Sequence, residues 1–328
     1  MTPAQPDHDL PQAVQTSLFR FMQSFEALRP ELYRYCRCLT RSPWDAEDLV
    51  QDALGRAFVT LGRMGTPPPN PRAWLFRVAS NLWIDQKRRA RVNPDPEPAV
   101  APVEPRDQRE AAGTLLATLA PRERVAVVLK DVFDLPLDEI AEVLGTTTGT
   151  VKTTLHRGRG KLAEPEATAP RDEAAAVPAV LDAFCAAFNA QDLGRLTALL
   201  LDTSRVDIVG THTDFGPEDA AKHAFFGMLH GAARIADGTG VEPRFSQGAL
   251  AQSPRCEVRF HRGEPLLLLW YAHADGEAVR AFNRVELEGD RVVALKNFFY
   301  TPEAIAELCQ EMNVPFHING YRHCLSVE

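Results

Sequence analysis

The stretch LDEIAEVLGTTTGTVKTTLHRGRGKL, residues 137–162, decides the fold of the region around it. Its first half places apolar residues at the spacing of a helix with one buried face: Leu137, Ile140, Ala141 and Leu144. Gly145 is suited to end this helix with a positive φ, and Thr147 is suited to cap a second helix. The spacing therefore predicts two short helices joined by a tight turn, which is the pattern of a helix-turn-helix.

The second predicted helix is basic on its outer side. Val151, Leu155 and Leu162 are expected to point inward. The outer side carries no acidic residue and presents Gly149, Lys152, Thr153, His156, Arg157, Arg159 and Lys161. The alternative is a solvated helix that is basic by chance. The coincidence of turn, cap and basic face favours DNA binding.

Length and composition limit the class of protein. A chain of 328 residues can form two or three domains, and 45% hydrophobic with 24% charged residues is typical of a globular protein. The apolar run LLLLW at residues 266–270 is too short to span a membrane. The N-terminal sequence MTPAQPDHDLPQ lacks the basic-then-apolar order of a signal peptide. We therefore expect a cytoplasmic protein with no membrane partner.

The net charge of −8 is unusual for a protein that binds DNA. The local basic face matters more than the total, because phosphate responds to nearby charge. An acidic whole nevertheless predicts weak DNA binding by the chain alone. A larger partner is then expected to bring it to DNA.

The cysteines form no recognisable framework. There are six, with no CxxC spacing: Cys36, Cys38, Cys185, Cys256, Cys309 and Cys324. We predict reduced structural thiols, with no metal and no cofactor. A zinc site shared with distant histidines is the alternative.

The N-terminal part reads as a tail followed by helices. Residues 1–16 are polar and contain prolines, which predicts a mobile tail. Apolar periodicity over residues 17–40 predicts helix with a break at Pro30. Ser42 and Pro43 have the character of a cap and a first-turn residue for the next helix. One side of that helix is acidic or polar: Asp45, Glu47, Asp48, Gln51 and Asp52.

A proline-rich loop, GRMGTPPP at residues 62–69, precedes another helix. In that helix a core stripe is predicted from Trp74, Leu75, Val78 and Leu82. Phe76, Ser80, Trp83 and Lys87 share another stripe, before a densely basic end. Aromatic rings among cations suit single-stranded nucleic acid, on which bases stack. The alternative is that both aromatic residues belong to the core.

Changes of composition divide the chain. The predicted parts are a tail (1–16), a helical domain (17–91), a proline-rich linker (92–106), a second helical domain with the helix-turn-helix (107–165), a linker (166–176) and a final domain (177–328). In the second helical domain, Pro121 starts a helix whose buried stripe includes Val125, Val128, Leu129 and Val132. The fold class is therefore multidomain, with two all-α domains followed by an α+β domain.

Three motifs in order resemble the extracytoplasmic-function (ECF) sigma factors of bacterial RNA polymerase. They are DAEDLVQDAL at residues 45–54, PRAWLFRVASNLWIDQKRR at 71–89 and LGTTTGTVKTTLHRGRGKL at 144–162. The resemblance covers residues 18–165 and includes the proline-rich linker between two helical domains. It implies binding to core RNA polymerase and to promoter DNA.

The resemblance also implies roles for individual residues. The acidic helix, with Asp45, Glu47, Asp48, Gln51 and Asp52, would dock on the clamp helices of the largest polymerase subunit. The loop at residues 64–70 and the following helix would capture the minus-ten element, through Asn81, Asp85, Lys87, Arg88 and Arg89. The final helix would read the minus-thirty-five element through Thr148, Gly149, Lys152, Thr153, His156 and Arg157.

Beyond residue 176 the apolar period changes. Two helices are predicted around AFNAQDLGRL, followed by strands at residues 205–209, 255–260, 265–274, 278–287 and 291–300. Glu288-Gly289-Asp290 predicts a hairpin turn between the last two strands. Helices followed by antiparallel strands resemble the SnoaL-like, or ketosteroid-isomerase-like, cone fold. Some ECF sigma factors carry such a domain as a built-in regulator.

Polar residues in this domain are candidates for lining a pocket for an unknown small-molecule ligand. They are Asp207, His212, Asp214, Tyr271, His273 and Asn283. Histidines in strands are more often structural, and no acid–base pair can be assigned. We therefore predict a sigma factor modulated by its final domain, and no enzyme. The alternatives are a ligand-responsive helix-turn-helix regulator that acts without polymerase, and an enzyme fused to a DNA-binding part.

Overall fold

A computed structural model describes residues 10–92, 116, 118–162, 177–236, 254–273 and 275–321. The described residues fall into two compact units, one of residues 21–162 and one of residues 10–20 together with 177–321. Both predicted helical domains therefore lie in the first unit, apart from residues 17–20. Among the described residues, no helix combines the length and apolar character needed to cross a membrane.

The described part of the chain begins with four helices, and the first unit starts within the first of them, at Phe21. They are α1 (Leu10–Phe25), α2 (Arg29–Thr40), α3 (Pro43–Met64) and α4 (Pro71–Val92). Helix α1 starts inside the segment predicted to be a mobile tail, so that prediction is wrong from Leu10 onward. The proline at position 11 does not prevent this start, because a first-turn proline gives up no helical hydrogen bond. The predicted break falls at residues 26–28, a short 3₁₀ turn.

The caps of α3 and α4 follow the sequence signals. The Ser42 hydroxyl accepts a hydrogen bond of 3.2 Å from the Asp45 amide at the start of α3. The Asn70 side chain accepts one of 3.1 Å from the Ala73 amide at the start of α4. Helix α3 ends at Gly65, whose φ of 68° is readily adopted only by glycine. These local signals therefore position the loop that joins the two helices.

The second half of the helical unit contains α5 (Pro121–Val127), α6 (Leu137–Leu144) and α7 (Thr148–Leu162). A π-helical turn, Val128–Val132, follows α5. This wider turn rotates the end of the helix, because the Phe133 amide bonds to the Val128 carbonyl. Val132 is therefore 57% exposed and does not join the buried stripe that the sequence predicted.

The second unit combines helices with one sheet. Its helices are α8 (Ala179–Asn189), α9 (Leu193–Ala198), α10 (Gly216–Lys222), α11 (Ala224–Ala236) and α12 (Pro302–Met312). Its strands are β1 (Leu200–Ile208), β2 (His212–Phe215), β3 (Arg255–His261), β4 (Glu264–His273), β5 (Gly276–Glu288) and β6 (Arg291–Phe298). The predicted α+β class is confirmed. Strand β2 and helices α10, α11 and α12 were not predicted.

The six strands are ordered β2-β1-β6-β5-β4-β3. The pairs β1–β2, β3–β4, β4–β5 and β5–β6 are antiparallel, and Gly289, with φ 61°, forms the predicted turn between β5 and β6. Strand β1, however, pairs parallel to β6. This pair departs from the antiparallel strands that the sequence predicted, because the long connection from β1 to β6 allows a parallel return. Strand β3 lies at one edge of the sheet.

The core of the second unit lies between the sheet and helices α8 and α11. Its largest buried side chains include Phe184, Phe188 and Phe225, and Leu267, Leu269 and Tyr271 contribute from β4. Residues of β4 and β5 are buried on both faces because α12 packs near β5. The central parts of these two strands are therefore internal, and their buried polar side chains require partners within the protein.

Candidate nucleic-acid interface

The helix-turn-helix has the geometry that its sequence predicts. Gly145 ends α6 with φ 61°, and its amide bonds to the carbonyl of Glu142 at 3.2 Å. The Thr147 hydroxyl accepts a hydrogen bond of 3.2 Å from the Thr150 amide and thereby caps α7. Val151 and Leu155 are buried. Local capping and one apolar stripe therefore fix the orientation of α7.

Helix α7 is held against α5 by a close approach and two ion pairs. A Cβ atom at Gly158 would lie 2.9 Å from a methyl group of Val127, so glycine permits the contact. Lys161 pairs with Glu123 at 2.7 Å, and Arg159 pairs with Asp131. Burial alone would raise the pKa of Glu123, but hydrogen bonds from Lys161 and a backbone amide outweigh it and lower that pKa.

The residues predicted to read DNA lie on the exposed surface of α7. All six are exposed: Thr148, Gly149, Lys152, Thr153, His156 and Arg157. The two basic residues that the prediction left out of this set, Arg159 and Lys161, are the ones that form ion pairs with α5 and the π turn. The outer face of α7 thus separates into residues that support the helix and residues available to a ligand.

A cleft lies beside α4. Its volume is about 540 Å³, and it is lined by residues of α3, the proline-rich loop, α4 and α6. Asn81 and Asp85, both predicted to contact the minus-ten element, line this cleft. Two arginines, Arg56 and Arg77, provide positive charge at its wall. The remaining predicted residues, Lys87, Arg88 and Arg89, are exposed farther along α4, where Arg88 pairs with Asp85 at 3.1 Å.

Of the core stripe predicted on α4, Leu75 is buried as expected at 1% exposure, but the other three residues are not fully buried. Trp74, Val78 and Leu82 are half-buried and line the cleft, whereas Phe76 and Trp83 are 1% and 2% exposed. The prediction of a core stripe at the first three is therefore wrong, and the core alternative holds for the two aromatic residues. The reason is that α4 is covered on its Phe76 side by α2 and by residues after Pro121.

Two residues from the second half of the unit cover this aromatic side. The Phe133 ring makes edge contacts with Tyr35 and Phe76, at centroid distances of 5.7 and 5.3 Å. Arg124 lies over the Trp83 ring at 5.2 Å and donates a hydrogen bond of 2.7 Å to the carbonyl of Leu39. The two halves of the helical unit are thus joined by a buried interface.

Helix α6 also brings carboxylates to the cleft. The Asn70 side-chain amide lies 3.4 Å from a carboxylate oxygen of Glu139. Glu142, one turn later on α6, contributes to the lining of the cleft beside Asn81. Carboxylates of α6, which belongs to the helix-turn-helix, therefore lie at the cleft on α4 that is predicted to bind the minus-ten element.

One of the residues predicted to lie on the exposed acidic side of α3, Glu47, is buried. Glu47 is fully buried and pairs with the equally buried Arg29, and it also accepts a hydrogen bond of 2.7 Å from Gln51. A side chain in this position cannot contact a partner at the surface, so the assignment of Glu47 is corrected to a structural role. Of the others, Asp45 and Asp52 are exposed, and Asp48 and Gln51 are partly exposed.

The candidate pocket residues of the second unit are divided among separate environments. Asn283 is buried on β5, where it accepts a hydrogen bond of 2.7 Å from Asn297, and both amides contact the sulfur of Met228. Tyr271 belongs to the same apolar core, and burial raises its pKa. His273 instead lies near Arg280, which donates to it at 3.2 Å. Burial, with Arg280 and His317 nearby, lowers the pKa of His273.

The remaining candidates lie on the paired strands β1 and β2. Asp214 accepts a hydrogen bond of 2.9 Å from the Ala224 amide at the start of α11, and its other oxygen lies 3.1 Å from His223. The exposed His212 is 3.5 Å from Asp214. Asp207 is partly exposed and accepts from Thr213. Asp214 therefore serves as a helix cap. Among the described residues, no cluster of His, Cys, Asp and Glu has the arrangement of a metal site.

Several residues that shape these sites were not identified from the sequence. They are Arg124, Phe133, Asn297, His223 and the two cysteines that contact each other, Cys185 and Cys256. Their partners lie on other elements, and no local spacing signals such contacts. Only Phe133 had a cue in the sequence. The apolar stripe of the preceding helix stops before Pro136, so Phe133 lies where that helix ends.

Comparisons with known proteins bear on both helical halves. Residues 24–92 match the family described as Sigma-70 region 2, and residues 109–162 match Sigma-70, region 4. The ECF RNA polymerase sigma factor SigJ of Mycobacterium tuberculosis is 34% identical over 196 residues, which are 55% of this chain and 62% of SigJ. The chain thus spans less than two thirds of that relative.

Two further similarities extend the comparison. The ECF RNA polymerase sigma factor SigW of Bacillus subtilis is 30% identical over 162 residues, 43% of this chain and 86% of SigW. A solved protein of ketosteroid isomerase-like fold from Catenulispora acidiphila has 10% identity and a TM-score of 0.25, over 40% of this chain and 94% of its own. With both sigma regions in order and most of SigW covered, the chain belongs to the family of ECF RNA polymerase sigma factors.

Proposed function

We propose that this chain is a sigma factor that binds core RNA polymerase, recognises the two promoter elements and initiates transcription. The observation that carries this proposal is the pairing of an exposed basic face on α7 with a cleft on α4 that is lined by both apolar and polar side chains, in one chain. The first has the chemistry to read duplex DNA in the major groove, and the second has the size, apolar walls and hydrogen-bonding groups to hold an unstacked base. Neither feature alone would open a promoter.

Helix α7 is proposed to read the minus-thirty-five element. Lys152 and Arg157 can contact guanine edges or phosphates, and Gly149 lets the backbone approach the DNA. Arg159 and Lys161 are engaged with Asp131 and Glu123, so their role is to hold the helix at its angle. We therefore expect substitutions of Lys152 or Arg157 to change DNA affinity directly, and substitutions of Arg159 or Lys161 to act only through the position of the helix.

The cleft on α4 is proposed to capture the minus-ten element. Asn81 and Asp85 offer hydrogen-bond groups to a base, while Arg56 and Arg77 offer charge to the backbone. Trp74 lies in the same wall, where an aromatic ring can stack on a base. The basic run of Lys87, Arg88 and Arg89 continues this surface toward the end of α4.

Polymerase is proposed to bind the exposed acidic side of α3, through Asp45, Asp48, Gln51 and Asp52. In the described arrangement, Glu142 lines the α4 cleft and Glu139 lies beside its lining residue Asn70, so that both carboxylates would repel a DNA backbone there. We propose that this arrangement is the resting state, and that polymerase binding separates the two halves. A closed resting state also explains why a chain with a net charge of −8 is expected to bind DNA weakly alone.

The second unit is proposed to modulate this activity as a fused regulatory domain. The matched relatives are named as sigma factors and not as enzymes, and we expect no turnover by this domain. Its buried Asn283–Asn297 pair and its apolar core serve a structural role in the described state.

Run-off transcription with purified core polymerase tests the proposal. The full chain should give promoter-specific transcripts, and a gel shift should require the polymerase. Tight operator binding without polymerase would instead indicate a ligand-responsive regulator. A chain ending near residue 170 tests the regulatory part, because unchanged output after truncation would remove that role while leaving sigma activity intact.

A further inference from the structure

Two cysteines that are distant in sequence meet in the second unit. The Sγ atoms of Cys185 on α8 and Cys256 on β3 are 3.4 Å apart. Cys256 is 3% exposed, whereas Cys185 is partly exposed. We propose that this pair is a reversible oxidation site, at which a peroxide converts the two thiols to a disulfide that fastens α8 to the edge strand of the sheet.

The contact is built into the fold and does not depend on the thiols alone. Asn189, one helical turn after Cys185, donates a hydrogen bond of 3.0 Å to the Cys256 carbonyl and accepts one of 2.7 Å from the Cys256 amide. This two-point contact fixes the backbone of β3 relative to α8 at the position of the cysteine. A bond between the sulfurs, now 3.4 Å apart, then requires them to approach by about 1.4 Å, since a disulfide is about 2.05 Å long.

The environments of the two thiols assign different roles to them. The hydrogen bond from Cys256 lowers the pKa of the Cys185 thiol. The same hydrogen bond and burial raise the pKa of Cys256. The thiolate is the reactive form of cysteine, so the partly exposed Cys185 meets the oxidant and the buried Cys256 resolves the product.

The reaction balances in two steps. The Cys185 thiolate attacks one peroxide oxygen, so that an S–O bond forms, the O–O bond breaks and the leaving alkoxide or hydroxide takes a proton. The Cys256 sulfur then attacks the resulting sulfenic acid, so that the S–S bond forms and the S–O bond breaks. Water leaves with the thiol proton. The two sulfurs are oxidised by two electrons in total, and the peroxide is reduced to water and an alcohol, or to two waters.

The sequence makes the product easy to identify. Trypsin would release Cys256 in the peptide of residues 256–259 and Cys185 in the peptide of residues 172–195, and each peptide contains one cysteine. The full chain is treated with hydrogen peroxide, its remaining thiols are alkylated, and the non-reduced digest is analysed by mass spectrometry. We expect one ion with the combined mass of both peptides less two hydrogen atoms, which disappears on treatment with dithiothreitol.

Variants and controls separate this reaction from general oxidation. Cys185→Ser and Cys256→Ser should each abolish the linked ion, and C256S should accumulate a Cys185 sulfenic acid that dimedone traps. Cys38→Ser, which replaces a partly exposed cysteine of the other unit, should leave the linked ion unchanged. Oxidation of the wild type should also raise the melting temperature by several degrees, because the bond closes a long loop. A wild-type chain in which Cys185 is oxidised to sulfenic or sulfinic acid without joining Cys256 would overturn the proposal.

Discussion

The guanidinium of Arg124 donates a hydrogen bond of 2.7 Å to the backbone carbonyl of Leu39, which lies 85 residues earlier in the chain. The same group lies over the Trp83 ring, and the side chain is 8% exposed. Burial lowers the pKa of Arg124 to about 10, so the group stays cationic at neutral pH. The contact joins the half of the helical unit that carries the helix-turn-helix to the half that carries the cleft.

Replacing Arg124 with alanine should destabilise the helical unit. The change leaves the Leu39 carbonyl without this donor and removes the cation from the Trp83 ring. We expect a loss of about 2 kcal/mol in the free energy of unfolding, measured by urea denaturation followed by tryptophan fluorescence. Arg122→Ala is the matched control, because Arg122 lies on the exposed side of the same helix. Equal effects of the two changes would contradict a structural role for the contact.

Two substitutions on helix α3 should have different effects, one on stability and the other on binding to the polymerase. Glu47→Ala leaves the buried Arg29 charge without this carboxylate and should lower the free energy of unfolding by about 3 kcal/mol. Asp52→Ala, on the exposed side of the same helix, should change it by less than about 0.5 kcal/mol. In a pull-down with core polymerase, D52A should bind more weakly than the wild type. Unaltered binding would remove Asp52 from the proposed polymerase surface.

Two arginines of helix α7 should have different roles, Arg157 in contacting DNA and Arg159 in holding the helix in place. Arg157→Ala should weaken promoter binding by the polymerase complex about tenfold and reduce the slope of log affinity against log salt by about 1. Arg159→Ala should leave the salt slope unchanged, because this guanidinium pairs with Asp131. Fluorescence anisotropy with a labelled promoter fragment at several salt concentrations measures both. A larger loss of salt dependence for R159A than for R157A would reverse the assignment.

The closed arrangement predicts that two carboxylates oppose DNA binding by the free chain. Glu139→Gln with Glu142→Gln removes their negative charge from the edge of the α4 cleft and should raise affinity for a labelled single-stranded oligonucleotide several-fold. Asp138→Asn is the control, since Asp138 is exposed on the same helix and does not line the cleft. If D138N matched the double variant, net charge alone would explain the gain. Transcription with core polymerase, measured in parallel, reports separately on the sigma activity.

The Glu123–Lys161 pair should make stability depend on pH in a known direction. Burial opposes ionisation of Glu123, but hydrogen bonds from Lys161 and the Ala120 amide prevail and lower its pKa. A depressed carboxyl pKa stabilises the fold above the unfolded value, about 4.3, and this contribution is lost as the pH falls through the folded value. Glu123→Gln should therefore cost about 1 kcal/mol at pH 7 and progressively less below about pH 4. A difference from the wild type that stays constant down to pH 3 would exclude this linkage.

Local signals in the sequence were sufficient for much of the fold. The glycine at position 145, the caps at Ser42 and Thr147 and the hairpin turn at Gly289 all lie where the structure has them. Each depends on backbone conformation or on a hydrogen bond within a few residues. The same reasoning failed at Val132, because a π turn changes the helical period without a distinct residue signature.

Faces of elements were predicted less well than the elements themselves. On α4 the sequence shows two apolar stripes and does not indicate which one is buried. Packing against α2 and against residues after Pro121, including Phe133, buries Phe76 and Trp83. Trp74 is left to line the cleft. Glu47 likewise lies on a polar stripe but faces Arg29 across a helix pair. In the second unit the parallel pairing of β1 with β6 depends on how a long connection returns.

The sequence by itself determined the helix-turn-helix, the membership of the family and most helices and strands apart from β2, α10, α11 and α12, because these follow from periodicity, caps and motifs in register along the chain. Tertiary structure alone decided the closed approach of α6 to the cleft, the Arg124–Leu39 contact and the meeting of Cys185 with Cys256. These contacts join residues separated by 69 or more positions. Their energies depend on the simultaneous packing of several elements, which no local pattern encodes.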